Sequence, residues 1–230
     1  MKKPTRVAIL TAMQIELDPI VHKLGLTTTE EGVYRGNFGT IEVTALLTNM
    51  GMAAGAAAAE KAIALDVDRV LVVGIAGGLI PDTPIGTVIR PEIVFDRMQG
   101  TAYHPLWPDG VKANGILSSS DDFITDDAML DAMRRDGVIA VDMETAAVAA
   151  TCDNAGVAWS VHRSISDRPS DGLLDEAIWF FTHPDGSADP AALAEYLSGD
   201  PLREGRLAQL ARDTEIATNA CADDAIATLR

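Results

Sequence analysis

The chain has 230 residues and a mass of 24.3 kDa, the size of one large α/β domain and too long for a disulfide-stapled miniature. At 47% hydrophobic and 23% charged its composition is that of a globular protein. The 18 Lys and Arg stand against 34 Asp and Glu, and the resulting net charge of −16 argues against nucleic acid or an anionic membrane as partner.

In chain order, short β-branched runs alternate with longer helical patterns, which predicts an α/β class with a largely parallel sheet. Residues 6–10 read as a buried strand and residues 14–24 as a helix carrying Ile15, Leu17, Ile20, Val21 and Leu24. Residues 33–38 and 41–47, broken at Gly39-Thr40, read as a hairpin. The Ala-rich residues 52–65 predict a closely packed helix, followed at 69–73 by a continuous apolar strand. Residues 86–95 and 115–119 are strand candidates on either side of a Pro/Trp/Gly-rich loop at 103–110. A helix with an acidic first turn is predicted at 126–134, a strand at 138–141, a helix at 144–154 stopped by Gly156, and a strand at 157–165. A polar turn at 166–171 follows, and residues 174–230 read as mostly helical, interrupted by Pro184-Asp185-Gly186 and Gly199-Asp200-Pro201. No linker divides the chain, so the expectation is a single domain over residues 1–230.

Cys152 and Cys221 fall in Ala-rich helical patterns and read as small apolar residues. The four histidines make no ligand cluster, so neither a metal site nor a cofactor is expected. Only about four apolar residues follow the N-terminal Met1-Lys2-Lys3-Pro4, far short of a signal sequence or the roughly 20 residues of a membrane span, which predicts a cytoplasmic protein.

In open α/β sheets ligands bind beyond the carboxyl ends of the strands. There this sequence delivers Met13 and Glu16 after the first strand, Gly51 after the hairpin, Gly74, Gly77 and Gly78 after the central strand, then Asp142-Met143-Glu144 and Ser166-Asp167. Each feature has a plainer reading: the glycines as tight turns or helix contacts, Asp142 and Glu144 as charges at a helix start, Asp167 as a turn cap. Their convergence on one rim favours chemistry. Carboxylates without metal ligands suit glycosidic cleavage, in which one acid protonates the leaving group and a second carboxylate activates water.

At these residues the chain resembles the nucleoside phosphorylase/hydrolase superfamily, and within it the methylthioadenosine/S-adenosylhomocysteine nucleosidases. Val141-Asp142-Met143-Glu144-Thr145-Ala146-Ala147-Val148-Ala149 followed by Arg163-Ser164-Ile165-Ser166-Asp167 is similar to the nucleosidase pattern V-E-M-E-A-x-A-x-A followed by R-A-I-S-D. Weaker matches are Ala12-Met13-x-x-Glu16, Gly74-x-Ala76-Gly77-Gly78-Leu79 and Ser120-x-Asp122-Phe123-Ile124. The resemblance implies a three-layer α/β/α fold around a twisted mixed sheet, no cofactor, a homodimer and a small purine nucleoside as substrate. It further implies that Asp167 protonates or hydrogen-bonds the leaving base, that Glu16 activates water with the help of Arg163, and that Met143 and Glu144 hold the ribose. Phe123 and Ile124 would form the base pocket, with Met13, Gly77, Asp142 and Ser166 as further binding residues. Asp142 stands where the family has Glu.

Two alternatives stay open: a phosphorylase of the same fold, and a non-catalytic nucleoside-binding module. The phosphorylase pattern places Gly-Asp-Pro-x-Arg after the first strand and an Arg and a Ser around the central Gly turn. Met13-Gln14-Ile15-Glu16, Val72 and Ile75 hold those positions here and give a phosphate dianion nothing to bind. Ile75 also replaces the Ser that nucleosidases carry. Residues 168–204, including Trp179-Phe180-Phe181, have no counterpart in the pattern and read as a divergent helical insertion, either a lid over the site or surface packing.

Overall fold

The computed structural model describes residues 5–107, 110–173 and 176–229. Residues 1–4, Pro108-Asp109 of the predicted loop, and Leu174, Asp175 and Arg230 of the predicted C-terminal helical region lie outside the described residues.

The elements run β1 (Arg6–Thr11), α1 (Gln14–Leu24), β2 (Thr27–Glu30), β3 (Val33–Phe38), β4 (Ile41–Leu47), α2 (Met52–Ala64), β5 (Arg69–Gly78), β6 (Val88–Ile89), β7 (Ile93–Asp96), β8 (Thr101–Tyr103) and β9 (Ile116–Ser119). They continue as α3 (Asp127–Arg135), β10 (Val138–Asp142), α4 (Thr145–Ala155), β11 (Ala158–Asp167), 3-10 turns at Pro169–Asp171 and Glu176–Phe180, α5 (Pro190–Ser198) and α6 (Leu202–Ala227). One mixed sheet has the order β2-β3-β4-β1-β5-β10-β9-β7-β8, with β11 paired to β5 and β6.

The alternation of side chains along the central strands sorts the core into two layers. Ala8, Leu10, Val70 and Val72 face the Ala-rich helices, packing with Ala58, Ala59 and Ala62 of α2 and Ala146, Val148, Ala149 and Cys152 of α4. Val7, Ile9, Leu71 and Val73 face the opposite side, against Leu17 and Ile20 of α1 and Cys221, Ala222 and Ala225 of α6. Helices on both faces of a mixed sheet make the three-layer α/β/α arrangement of nucleoside phosphorylase-like proteins. Both cysteines are free and buried, as small apolar residues on α4 and α6.

The central strand decides the site. Along most of its length β5 runs parallel to β1 and β11, but at Gly77 and Gly78 its end turns to pair antiparallel with Val141 and Ala140 of β10. Gly77 thus stands beside both Val141 and Asp167, while Gly74 stands beside Arg163. An irregularity in the β11 register between Ile165 and Asp167 re-aims the last side chains of that strand.

Several predicted elements differ. The expected strand at 86–95 is two short strands, β6 on β11 and β7 on β9, separated at Pro91, which has no N–H for a ladder. β2 and β8 are held by backbone pairing and carry no apolar alternation; β2 is exposed along its whole length. Strands β5 and β11 extend beyond the expected ends at residues 73 and 165 because each supplies the other's partner to the rim. Residues 177–183 and 187–189, read as helical on either side of the expected break at Pro184-Asp185-Gly186, form the end of a 3-10 turn and then a hairpin-like loop closed by a Thr182–Ala188 bridge, with the break at its tip.

Leu71 is fully buried between β5 and the α1–α6 layer. Replacing it by Ala removes apolar area and leaves a cavity, so a Leu71→Ala variant is expected to lose about 2–5 kcal/mol of stability, read as a lowered denaturant midpoint at unchanged slope.

Candidate active site

Beyond the carboxyl ends of β1, β5, β10 and β11 lies a cavity of about 690 Å³. Its lining brings together every site residue expected from the sequence: Met13, Glu16, Gly77, Phe123, Ile124, Asp142, Met143, Glu144, Arg163, Ser166 and Asp167. The volume suits a small organic ligand.

Arg163 is the centre of the charged cluster. It projects from β11 into the interior and is 1% exposed. Its Nε donates to Asp142 Oδ2 at 2.9 Å, and Nη2 donates to Glu144 Oε2 at 2.8 Å and to Thr145 Oγ1 at 3.3 Å. Nη2 also lies 2.7 Å from Asp142 Oδ2, and Nη1 lies 3.7 Å from Glu16 Oε1. Burial works against its charge, but Asp142, Glu144 and Glu16 outweigh that and raise its pKa above the ordinary arginine value.

Each carboxylate is also held by its own element. Glu16, in the first turn of α1, accepts from the backbone N–H groups of Ala12 (2.8 Å) and Met13 (2.9 Å) through Oε2 and of Ile75 (2.8 Å) through Oε1. Burial raises its pKa, opposed by Arg163 and those three amides. Asp142 accepts from the Ser119 and Thr145 hydroxyls and, at 3.4 Å, from the Thr145 N–H at the start of α4. Its carboxylate is therefore spent on Arg163 and the helix start, which makes it a positioning group as much as a wall of the cavity. Glu144 accepts from the Gly51 N–H at 3.0 Å, and burial lifts its pKa to about 7 against the pull of Arg163, with Asp142 and Glu16 adding to the rise.

The glycines serve this cluster. A side chain at Gly74 would put its Cβ 2.3 Å from Glu16 Oε1 and 2.4 Å from Arg163 Nη1, so only glycine lets the two groups meet across β5. Gly51, at φ 106°, aims its N–H at Glu144, the use that the sequence left open between turn and ligand contact.

Asp167 stands apart from the arginine cluster, half-buried at the end of β11. Burial raises its pKa; the Ser166 hydroxyl donated to Oδ1 lowers it, and Asp171 and Asp213 raise it further. It caps no turn, because Asp171 supplies the capping carboxylate of the following 3-10 turn to the Arg168 N–H. Phe123 and Ile124 form an apolar corner, with Ile124 packed on the Leu79, Leu130, Met133 and Val138 cluster.

Val72, by contrast, lies in the core under α2 and α4 and does not line the cavity, so its apolar character says nothing about phosphate. Ile75 does line it. Among the described residues the lining cations are Arg163 and Arg168; Arg168 is paired to Asp171 at 3.0 Å and donates to the Thr83 carbonyl at 2.8 Å. Among the described residues no cluster of His, Cys, Asp or Glu is arranged to hold a metal ion.

Of the remaining apolar wall, the sequence offered only Trp179 and Phe181, in a segment read as either a lid over the site or surface packing, and they line the cavity; the rest was missed. Met50 comes from the connection between β4 and α2, Ile178, Trp179 and Phe181 from the divergent segment, and Leu207, Leu210, Ala211 and Thr214 from α6. The helical spacing of the α6 group was a readable signal, but nothing in it tells a cavity-facing stripe from a core-facing one.

A mixed sheet covered on both faces, with a buried arginine–carboxylate cluster at the carboxyl ends of its strands, defines a nucleoside phosphorylase-like protein. The family model of the Phosphorylase superfamily matches residues 6–113 and 109–194, and the chain belongs to that superfamily. Among solved structures it is similar to Helicobacter pylori 5′-methylthioadenosine/S-adenosyl homocysteine nucleosidase, with 18% identity over 97% of this chain and 98% of that one at a TM-score of 0.70. It is similar to the futalosine hydrolase of Helicobacter pylori, at 19% identity over 97% of each chain and a TM-score of 0.70. It is also similar to Arabidopsis thaliana 5′-methylthioadenosine nucleosidase, at 18% identity over 100% of this chain and 97% of that one and a TM-score of 0.71. Among the described residues no helix is long and apolar enough to cross a membrane.

Glu144 gives a pH test of the cluster. Its folded pKa of about 7 lies above the unfolded value near 4.5, so its contribution is present below about pH 4.5 and is lost as pH rises through 7. Wild type should therefore lose about 3 kcal/mol relative to Glu144→Gln between those limits, read from denaturant unfolding of both proteins across that range.

Proposed function

We propose that this protein hydrolyses the N-glycosidic bond of a purine nucleoside, releasing the free base and the sugar. The observation that carries this reading is the pairing, across one cavity, of a separate carboxyl group on Asp167 with a rigidly held Glu16 carboxylate, in a lining whose arginines are both ion-paired.

In this reaction Asp167 donates its proton to the leaving base as the C–N bond breaks, and its raised pKa keeps that proton available closer to neutrality. Ser166 engages Oδ1 and leaves Oδ2, beside Gly77, free to face the base. Positive charge grows on the sugar, which the surrounding carboxylates favour. Glu16 takes a proton from the attacking water as its oxygen bonds to the anomeric carbon; the three amides hold that carboxylate in one orientation. Arg163 keeps Glu16, Asp142 and Glu144 together, Glu144 and Met143 hold the ribose, Met13 covers it, and Phe123 and Ile124 take the base.

Water is favoured over phosphate by charge. A phosphate dianion entering this lining meets the carboxylates of Glu16, Asp142 and Glu144, while Arg163 and Arg168 are occupied. The nucleosidases and futalosine hydrolase among the structural relatives support hydrolysis as well. Incubation with a panel of purine nucleosides should release base at the same rate with and without inorganic phosphate. Release only with phosphate, together with a sugar 1-phosphate, would reassign the protein as a phosphorylase; no release by folded protein would favour a binding module. Asp167→Asn should lower kcat by about 10²–10⁴.

The reading includes a homodimer. Exposed Ile15 and Phe180, at or next to the cavity rim, are apolar surface that a second copy would remove from water. Light scattering should give twice the chain mass of 24.3 kDa; a monomer mass at micromolar concentration would refute it.

A further inference from the structure

The divergent segment is built into the cavity. From the 3-10 turn at Glu176–Phe180 it contributes Ile178 and Trp179, and from the loop beyond it Phe181, Thr182, Gly186 and Ala188. The loop is closed on itself by the Thr182–Ala188 bridge and by hydrogen bonds from His183 N–H to the Ser187 carbonyl (2.7 Å) and from Asp189 N–H to the Phe181 carbonyl (2.7 Å). Its tip is tied to the sheet rim: Met50 N–H donates to the Pro184 carbonyl at 2.8 Å and Gln14 N–H to the Asp185 carbonyl at 3.1 Å. Gly186 sits so close to Met13 that a Cβ there would approach its side chain to 2.7 Å. At its root, Phe181 packs on Tyr196 of α5 with ring centroids 4.9 Å apart. The loop is therefore anchored at its tip and at its root, and with Trp179 it spans the cavity from the Phe123 corner to Met13 and Met50.

Within that strap Trp179 has a place that core packing does not explain. It is 38% exposed, yet its ring lies edge-to-face on Phe123, centroids 5.7 Å apart and planes at 82°. Phe181, two residues on, is the one of the three aromatic residues that enters the core, while Phe180 points out at 84% exposure. A perpendicular aromatic pair on the wall of a ligand cavity offers one ring face and one ring edge to a planar group.

We propose that Trp179 is a specificity-determining residue of the cavity, pairing with Phe123 to clamp a planar, uncharged heteroaromatic base. The inference rests on the nucleosidase reading for the identity of the base, but the clamp is a binding claim that stands or falls separately from hydrolysis. Its chemistry follows from the lining: aromatic faces and aliphatic Ile124, Ile178 and Leu207 reward a flat ring, and with both lining arginines paired an anionic ring gains nothing.

The test uses the full-length protein and its Trp179→Ala and Trp179→Phe variants, each confirmed folded by an unchanged thermal midpoint. For whichever purine nucleoside the wild type cleaves, Trp179→Ala should raise KM by about 10- to 30-fold with kcat within about threefold, and Trp179→Phe should restore KM to within about threefold, as expected for lost binding shared by ground and transition states. Free adenine, used as a probe that needs no turnover, should quench the tryptophan emission of wild type, and the quench should be missing from Trp179→Phe. A KM within twofold of wild type in Trp179→Ala would overturn the clamp and leave hydrolysis standing. Adenine or nucleoside binding that depends on Trp179 in a protein that cleaves nothing would support the clamp and overturn hydrolysis. No binding of any base or nucleoside to wild type would overturn both.

Discussion

The site depends on one buried cation. Arg163 is the point where three carboxylates from three different elements, Glu16 on α1, Asp142 at the end of β10 and Glu144 at the start of α4, become mutually tolerable in an apolar interior. Without it each would carry an uncompensated desolvation cost, and removing one member of such a group is far more damaging than exchanging all of them for apolar residues. The arrangement is thus weak evidence for stability and stronger evidence for purpose: the protein keeps three carboxylates buried on the wall of a ligand-sized cavity.

The surrounding architecture follows from making room for that cluster. Glycine at position 74 opens the space between Glu16 and Arg163, glycine at 51 brings an N–H to Glu144, and the antiparallel turn of β5 onto β10 lets Gly77 touch both the Asp142 strand and the Asp167 strand. Asp167 is kept out of reach of the arginine, so its carboxyl is governed by burial and by Ser166 in place of a cation. Two carboxyl populations with different surroundings, one compensated and one not, are what acid–base division of labour requires. The strap then adds the apolar side, fixed by backbone hydrogen bonds to Gln14 and Met50 on the rim whose residues it covers.

Much of this was legible because its signals are local. The apolar runs of β1 and β5, buried on both faces, and the Ala-rich α2 and α4 announce a covered sheet, and their register on the sheet follows from period-two alternation. The acidic residues Glu16, Glu144 and Asp167 were readable because an α/β sheet delivers strand ends to one rim, whereas Arg163, inside β11, was named only through the family resemblance. What escaped had no local signal. β2, a Thr-rich exposed strand, exists through pairing with β3; Val72 was read as a rim position but is covered by α2 and α4; the residues flanking the expected break at Pro184-Asp185-Gly186 take a looped form because their carbonyls and rings find partners on the rim and on α5.

By itself the amino-acid order determined the class of the fold, the alternation of its layers and the set of acidic residues that meet beyond the strands, since each of these follows from periodicity and chain direction. Tertiary structure alone decided how charge is shared among them: that Asp142 is spent on Arg163 and the start of α4, that Gly51 answers to Glu144, and that Trp179 stands against Phe123. The reason is physical. Pairing, desolvation and ring contact depend on distances of a few ångströms between residues far apart in the chain, and no local pattern encodes them.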